Sequence, residues 1–263
     1  MTGMPTKDQM PLLKVKNLSK FFGSHIGCYD INFELSKGEI IGIVGESGAG
    51  KSTLINCIGG RTAPTNGAVL FNSSQGVVDL CRSDEAVLRK IVRTQTGFVS
   101  RYSERGIRMD ISAGGNIGQR LMANGMKNYS QIRKIAAEWL KKVEIDPSRI
   151  DDFPETFSSG MRQRLQLAAN LVSEPRIILM DEPTESLDGP VQARLIDIIS
   201  RLIHQMNLSM VLATNDLSAA RRLCHRLYVM KDGKVIEHGI SDQVLDDPRE
   251  AYTQLMVASA QKM

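Results

Sequence analysis

The stretch Gly45-Glu46-Ser47-Gly48-Ala49-Gly50-Lys51-Ser52-Thr53 constrains this chain more than any other. It has the form G-x-x-x-x-G-K-S, a nucleotide phosphate-binding loop, which requires a strand before it and a helix after it. Ile40, Ile41 and Ile43 give the preceding run, Glu39 to Val44, a strand-like centre, and Leu54 to Ile58 is mostly apolar and helix-compatible. A turn feeding a helix N-terminus aims backbone N–H groups at phosphate oxygens. Lys51 is then placed to reach the β- and γ-phosphates, the Ser52 hydroxyl to sit on Mg²⁺, and Thr53 to lie beside the α-phosphate.

With 263 residues, the chain can bury a large core as one domain or as a domain with a smaller lobe. Lys and Arg number 33 against 29 Asp and Glu, and a net charge of +4 is too small to argue for a nucleic-acid partner. No apolar run approaches the roughly 18 residues of a membrane span, so no direct membrane insertion is expected. Met1 to Met10 is polar and lacks the apolar core of a signal peptide, which predicts a cytoplasmic protein. Cys28, Cys57, Cys81 and Cys224 form no CxxC pair and read as reduced, mostly structural thiols. His25, His204, His225 and His238 show no metal-ligand spacing.

Leu12 to Val15 predicts a short strand, after which Asn17 to Gly23 runs into a turn. Ile31, Phe33 and Leu35 alternate with polar residues at the strand period. Ala68 to Phe71 and Val77-Val78 add strands of a small β lobe, more than an alternating α/β core needs. Ala86 to Val92 predicts a helix and Thr96 to Val99 a buried strand, followed by a charged surface loop from Arg101 to Asp110. Ser112 opens a helical stretch through Met122. Ile132, Ile135, Ala136, Trp139, Leu140 and Val143 recur at helical spacing, with Trp139 as a core anchor rather than a ligand stacker. Helices are also expected from Ser158 to Val172, from Val191 to Leu202 and near Leu217 to Cys224. Strands fit Ile177 to Met180, Leu208 to Ala213 and Leu227 to Met230, and Lys231-Asp232-Gly233-Lys234 is a hairpin turn into Val235-Ile236. Strands interleaved with helices predict an α/β fold with a mostly parallel sheet.

Four apolar residues ending in Asp181 match the second acidic motif of a phosphate-loop nucleotidase. A strand end puts a carboxylate in the crevice where such a sheet binds ligand. Asp181 can orient the Mg²⁺ shell held with Ser52, and Glu182 can polarise an attacking water. Positioning and charge stabilisation suffice to transfer a γ-phosphoryl group. Alone, an Asp-Glu pair more often caps a strand at the surface; beside a phosphate loop the functional reading prevails.

The order of Gly45 to Thr53, Phe157 to Met161, Ile177 to Glu182, Ser186-Leu187-Asp188 and Thr214 to Leu217 resembles the ATP-binding cassette (ABC) ATPase family over almost the whole chain. The resemblance implies the P-loop nucleotide hydrolase fold of ABC type, an α/β fold with an antiparallel β lobe and a helical lobe. It implies one domain over residues 11–257. The nucleotide-binding core with its β lobe would take residues 11–99 and 166–240, and the helical lobe residues 100–165, with a C-terminal helical segment at 241–257. The helical lobe would contact a partner protein. ATP and Mg²⁺ would lie in a head-to-tail dimer of two copies, or of one copy and a homologous ABC subunit. The phosphate loop of one protomer would face the signature Ser158-Ser159-Gly160-Met161 of the other. Phe22 occupies the position of the family's adenine-stacking aromatic, and Asp188 would lie at the dimer interface. Arg101 falls at the glutamine-loop position and Asn215 at the switch position, which makes them catalytic candidates with Glu182.

Segments Ser112 to Met122, Arg149 to Asp152, Val244 to Pro248 and Tyr252 to Leu255 further resemble the ATP-binding subunits of phosphonate carbon–phosphorus lyase systems. That branch lies near the ATPases of oligopeptide and nickel importers. The resemblance implies association with a carbon–phosphorus lyase core complex, with ATP-dependent dimer closure rearranging that core. The bond-breaking chemistry would belong to another subunit, because this chain offers no iron–sulfur cysteine cluster. One alternative is an importer ATPase; another is a nucleotide-dependent scaffold or regulator with negligible hydrolysis.

Departures at three motifs of the family pattern bear on that choice. Arg101 replaces the usual glutamine, and a guanidinium can neither ligate Mg²⁺ nor accept from water. Drift in an exposed loop and adaptation both account for it. Asn215 replaces a histidine and cannot titrate near neutral pH. Ser159 replaces the first glycine of the signature pair, where a side chain crowds the approach to phosphate, and Met161 replaces the following glutamine. With the phosphate loop, Asp181, Glu182 and Asp188 complete, the expectation is that Mg-ATP binding survives while hydrolysis is slowed.

Overall fold

The computed structural model describes residues 10–260; the polar opening stretch up to Gln9 lies outside the described residues. Two compact units are present, one made of residues up to Arg89 together with those from Ser209 onward, the other of Lys90–Leu208. The first unit opens with β1 (Leu13–Phe22), β2 (His25–Leu35), β3 (Ile40–Val44), α1 (Lys51–Ile58), β4 (Asn66–Ser73) and β5 (Gly76–Asp79), and α2 (Glu85–Thr94) leads out of it. The second unit holds β6 (Thr96–Val99), α3 (Ala113–Ala123), α4 (Tyr129–Lys142), α5 (Ser159–Leu171), β7 (Ile177–Asp181) and α6 (Gly189–Met206). The chain then returns to the first unit with β8 (Ser209–Thr214), α7 (Leu217–Leu223), β9 (Arg226–Lys231), β10 (Lys234–Ile240), α8 (Ser241–Asp246) and α9 (Ala251–Ala260).

Two sheets build the first unit. The strand order β2-β1-β4-β5 is antiparallel throughout, which is the expected β lobe. On β2, Ile31, Phe33 and Leu35 are buried while their neighbours are exposed. β1 is longer than the expected strand, running on to Phe22, and the chain turns at Gly23-Ser24 as expected. Asn17 and Asp30 take left-handed φ angles of 46° and 51°, which these residue types tolerate. Asn17 Nδ2 donates to Asp30 Oδ1 at 2.8 Å. The register shifts along this pair are bulges that bend the strand without ending it.

In the second sheet β8, β3 and β9 run parallel, and β10 returns antiparallel beside β9. Every residue of β3 and β8 is buried, as a parallel strand covered on both faces requires. Val44 pairs with both Thr214 and Val229, so these three strands reach one edge of the sheet together. That edge launches Gly45 and Asn215. His225 and His238 serve the fold here. His225 Nδ1 accepts from the Ile40 N–H at 2.9 Å, and His238 stacks on Tyr228 with ring centroids 5.2 Å apart.

In the second unit β6 and β7 run parallel, with Val99 opposite Met180. α3, α4 and α5 pack together, burying Ile117, Ala136, Leu140 and Leu165. Trp139 is the expected core anchor, at 5% exposure. The Lys142 ammonium covers its ring, 4.4 Å from the centroid. α6 buries Leu195, Ile198, Ile199 and Leu202 on one stripe. Glu144 receives Arg194 at 2.5 Å and Arg201 at 3.3 Å. Burial opposes its charge, yet the two guanidiniums hold its carboxyl below the ordinary range.

The segment from Arg101 to Asp110 is more ordered than its charges suggest. Ser103–Arg105 forms a 3₁₀ turn, and Ser103 and Ile107 are buried. The cause lies in α5, where Gln163 Nε2 donates to the Ser100 carbonyl at 2.9 Å and Gln166 Oε1 accepts the Ser100 N–H.

Candidate functional site

The phosphate loop leaves β3 at Gly45 and becomes α1 at Lys51. Gly50 takes φ +99°, and a Cβ there would stand 2.2 Å from the Gly27 carbonyl oxygen. A Cβ on Gly45 would stand 2.3 Å from the Met230 carbonyl oxygen. The loop is therefore threaded between the backbones of β2 and β9, where no side chain fits. A further tie runs from the Gly233 N–H to the Ala49 carbonyl at 3.0 Å.

Lys51 is only 3% exposed. Its ammonium curls back over the loop, donating to the Gly45 carbonyl at 2.8 Å and to that of Glu46 at 2.9 Å. A phosphate would compete with those two carbonyls for the same cation. Phe22 ends β1 half exposed, with the Lys20 ammonium 5.1 Å from its ring centroid. A Cβ on Gly27 would meet Phe22 at 2.8 Å and Thr53 at 2.7 Å, so this glycine lets the aromatic ring and the loop's last residue close on one point. An exposed aromatic face beside a phosphate loop is the arrangement that base stacking needs. Asn215 is exposed at the same sheet edge, one residue beyond Thr214. Asp216 then caps α7, accepting from the N–H groups of Ser218 and Ala219.

In the second unit, the register of Val99 with Met180 brings Ser100-Arg101 and Asp181-Glu182 out of one strand edge. Asp181 is half-buried and Glu182 buried. Glu182 has φ +47°, a conformation that costs a non-glycine residue about 1–2 kcal/mol. Such residues persist where their surroundings over-determine them, and they gather at functional sites. Arg101 pairs with Glu185 at 2.8 Å, and the Glu185 N–H donates to the Glu182 carbonyl at 3.3 Å. The cation at the glutamine-loop position is thus committed to the turn that carries Glu182.

Ser158 caps α5, its hydroxyl accepting from the Met161 N–H at 3.3 Å. Ser159 is exposed in the first turn. Gly160 is buried, and a Cβ on it would stand 2.4 Å from Val191 Cγ1, so close packing of α5 on α6 already demands glycine there. Asp188 caps α6, accepting from the Val191 N–H at 3.1 Å.

Several positions that matter are silent in the motifs. Gln163, Gln166 and Asn170 form a buried amide row along α5. Asn170 Oδ1 accepts the Phe98 N–H at 2.9 Å and Arg120 Nη2 at 2.7 Å. With Gln163 and Gln166 on Ser100, this row fixes the end of β6 and hence where Arg101 emerges. Amides three and four residues apart on an apolar helix face were the available signal. Nearby, a cavity of about 320 Å³ opens among Arg93, Arg105, Arg108, Arg120 and Asn116. Asn116 is buried and ties down the Arg108 backbone, accepting from its N–H at 2.7 Å and donating to its carbonyl at 2.9 Å. Among the described residues, no helix is long and apolar enough to cross a membrane.

A family model described as ABC transporter matches residues 28–185. The chain belongs to the ABC ATPase family. This ABC ATPase is 49% identical, over 95% of its length and 97% of the relative's, to the putative phosphonates utilization ATP-binding protein PhnK of Escherichia coli (strain K12). It is 31% identical to the dipeptide transport ATP-binding protein DppD of Bacillus subtilis (strain 168), over 96% of its own length and 77% of the relative's. Among solved structures it matches the dimeric ATP-binding cassette MJ0796 in a post-hydrolysis state bound to ADP and Pi. That match has a TM-score of 0.78 at 29% identity, covering 87% of this chain and 98% of the other. The ABC ATPase fold expected from the motifs is the fold observed, with its antiparallel β sheet and helical elements.

Proposed function

We propose that this ABC ATPase binds Mg-ATP as the ATPase subunit of a cytoplasmic phosphonate carbon–phosphorus lyase complex, where nucleotide-driven dimer closure rearranges the lyase core. The observation that carries this reading is the 49% identity to the phosphonates utilization protein PhnK over nearly the full length of both chains. The phosphate loop supports the nucleotide, through its glycine-lined path and the Lys51 ammonium. Ser52 and Asp181 are the residues assigned to Mg²⁺, and a hydroxyl with a carboxylate is the hard oxygen donor set that this cation prefers. When bound, Mg²⁺ supplies charge to the phosphate oxygens; the chain's own residues position the nucleotide and water. Glu182 polarises the water, Phe22 stacks on adenine, and Asn215 donates an amide hydrogen bond to the γ-phosphate.

In the dimer, Ser158 and Gly160 of each protomer face the nucleotide of the other, with Ser159 and Met161 flanking them and Asp188 at the interface. The solved relative MJ0796 is a dimer in a post-hydrolysis state bound to ADP and Pi. Purification of the tagged protein from cells grown on a phosphonate is expected to recover lyase core subunits. Recovery of a membrane permease instead would point to the importer reading, which the likeness to DppD keeps in view.

A scaffold with negligible hydrolysis is the second reading, and the Arg101–Glu185 pair favours it. A specific partner on the acidic turn supports adaptation rather than drift at Arg101. Restoring the family pattern with Arg101→Gln and Asn215→His together is expected to raise steady-state phosphate release about ten-fold. Single transition-state contacts are worth about 10²–10³ in rate, although their effects need not multiply. Unchanged or lower turnover in a correctly folded double variant would sink the proposal that these positions slow hydrolysis.

A further inference from the structure

We infer that Tyr252 is a positioning residue of the phosphate loop, which makes the C-terminal helix α9 part of the nucleotide site. This rests on the reading of Gly45 to Thr53 as the ATP site.

Tyr252 is the second residue of α9, far from the loop in sequence. Its hydroxyl oxygen accepts the Glu46 N–H at 3.1 Å. That N–H belongs to the peptide whose carbonyl, on Gly45, accepts from Lys51 Nζ at 2.8 Å. One peptide plane is thus held on both sides, by the Lys51 ammonium on its oxygen and by Tyr252 on its hydrogen. It is also the plane on which the loop turns out of β3. Glycine at Gly45 gives it no side chain to resist rotation.

Tyr252 is itself well anchored. The Lys231 ammonium lies 5.0 Å from its ring centroid. The next residue, Thr253, is fully buried. At the entry to α9 the Glu237 carboxylate accepts the N–H groups of Arg249 at 2.8 Å and Glu250 at 3.1 Å. Burial opposes the charge on Glu237, but these N–H groups hold its carboxyl below the ordinary range. β10 therefore carries a fixed socket for the start of α9, and α9 presents the tyrosine to the loop.

The contact gains weight when nucleotide arrives. A phosphate that draws Lys51 away removes the hold on the Gly45 carbonyl, and Tyr252 keeps the hold on the amide side. The loop N–H groups then stay aimed at the phosphate oxygens without a new ordering cost, which is preorganisation.

The test is Tyr252→Phe in the full-length chain, with Mg-ATP affinity measured by calorimetry and Glu46 amide exchange followed by NMR. The Kd for Mg-ATP is expected to rise roughly two- to ten-fold, the range for losing one neutral hydrogen bond. The Glu46 amide should exchange faster, with the nucleotide-free melting temperature shifting by less than about 3 °C. A purely structural contact would instead lower the melting temperature and leave the Kd of the folded protein unchanged. A wild-type Kd in Tyr252→Phe overturns the inference. Failure of the wild-type chain to bind Mg-ATP at all overturns the site reading itself, and the two failures are distinct.

Discussion

Lys51→Ala is expected to lower Mg-ATP affinity by roughly 100-fold, as a charge-assisted contact to phosphate contributes about 1.5–3 kcal/mol and the proposed role of this ammonium is to reach both the β- and γ-phosphates. The side chain is buried, and its cation already rests on the Gly45 and Glu46 carbonyls. It needs only a short movement to exchange those oxygens for phosphate oxygens. Alanine removes the cation and leaves the loop path intact, because that path is set by the close backbone approaches at Gly45 and Gly50. Equilibrium titration with a fluorescent ATP analogue measures the loss, and circular dichroism checks the fold. Wild-type affinity in a folded Lys51→Ala protein would remove the phosphate loop from the account.

The second large effect concerns Glu182. Substitution by Gln keeps the volume and one acceptor oxygen but replaces the other with a donor and removes the charge proposed to polarise water. Phosphate release is expected to fall about 10²–10³-fold with nucleotide affinity retained. The left-handed backbone at Glu182 and its burial fix the direction of the side chain, so the isosteric change should leave the turn in place. A steady-state phosphate-release assay on both proteins reads this directly. Equal rates in wild type and Glu182→Gln would mean that the chain does not hydrolyse ATP through this carboxylate, and the scaffold reading would take its place.

These two residues also show what kind of information is legible before folding is known. Lys51 is announced by its own neighbours, since the loop's chemistry depends on backbone N–H groups that nine consecutive residues supply. Trp139 was legible for a related reason: its burial follows from a helical period that the segment carries within itself. Arg101 was visible only as a departure. Its pairing with Glu185 depends on β6 and β7 lying side by side in a given register. The charges between Arg101 and Asp110 misled for the same reason. Burial of Ser103 and Ile107 is decided by glutamines on α5, more than fifty residues along the chain.

By itself, then, the sequence determined the strand–loop–helix unit, the acidic strand end, the amphipathic helices and the family. Each depends on residues within a few positions of one another, where backbone geometry translates spacing directly into placement. Tertiary structure alone decided that Phe22 and Thr53 both crowd the space beside Gly27 and that α5 amides hold the end of β6. It also decided that Tyr252 grips the amide of Glu46. Those contacts join segments distant in sequence, and a hydrogen bond forms only when donor and acceptor come within about 3 Å. That requirement is met through sheet register and helix packing, which no local pattern encodes.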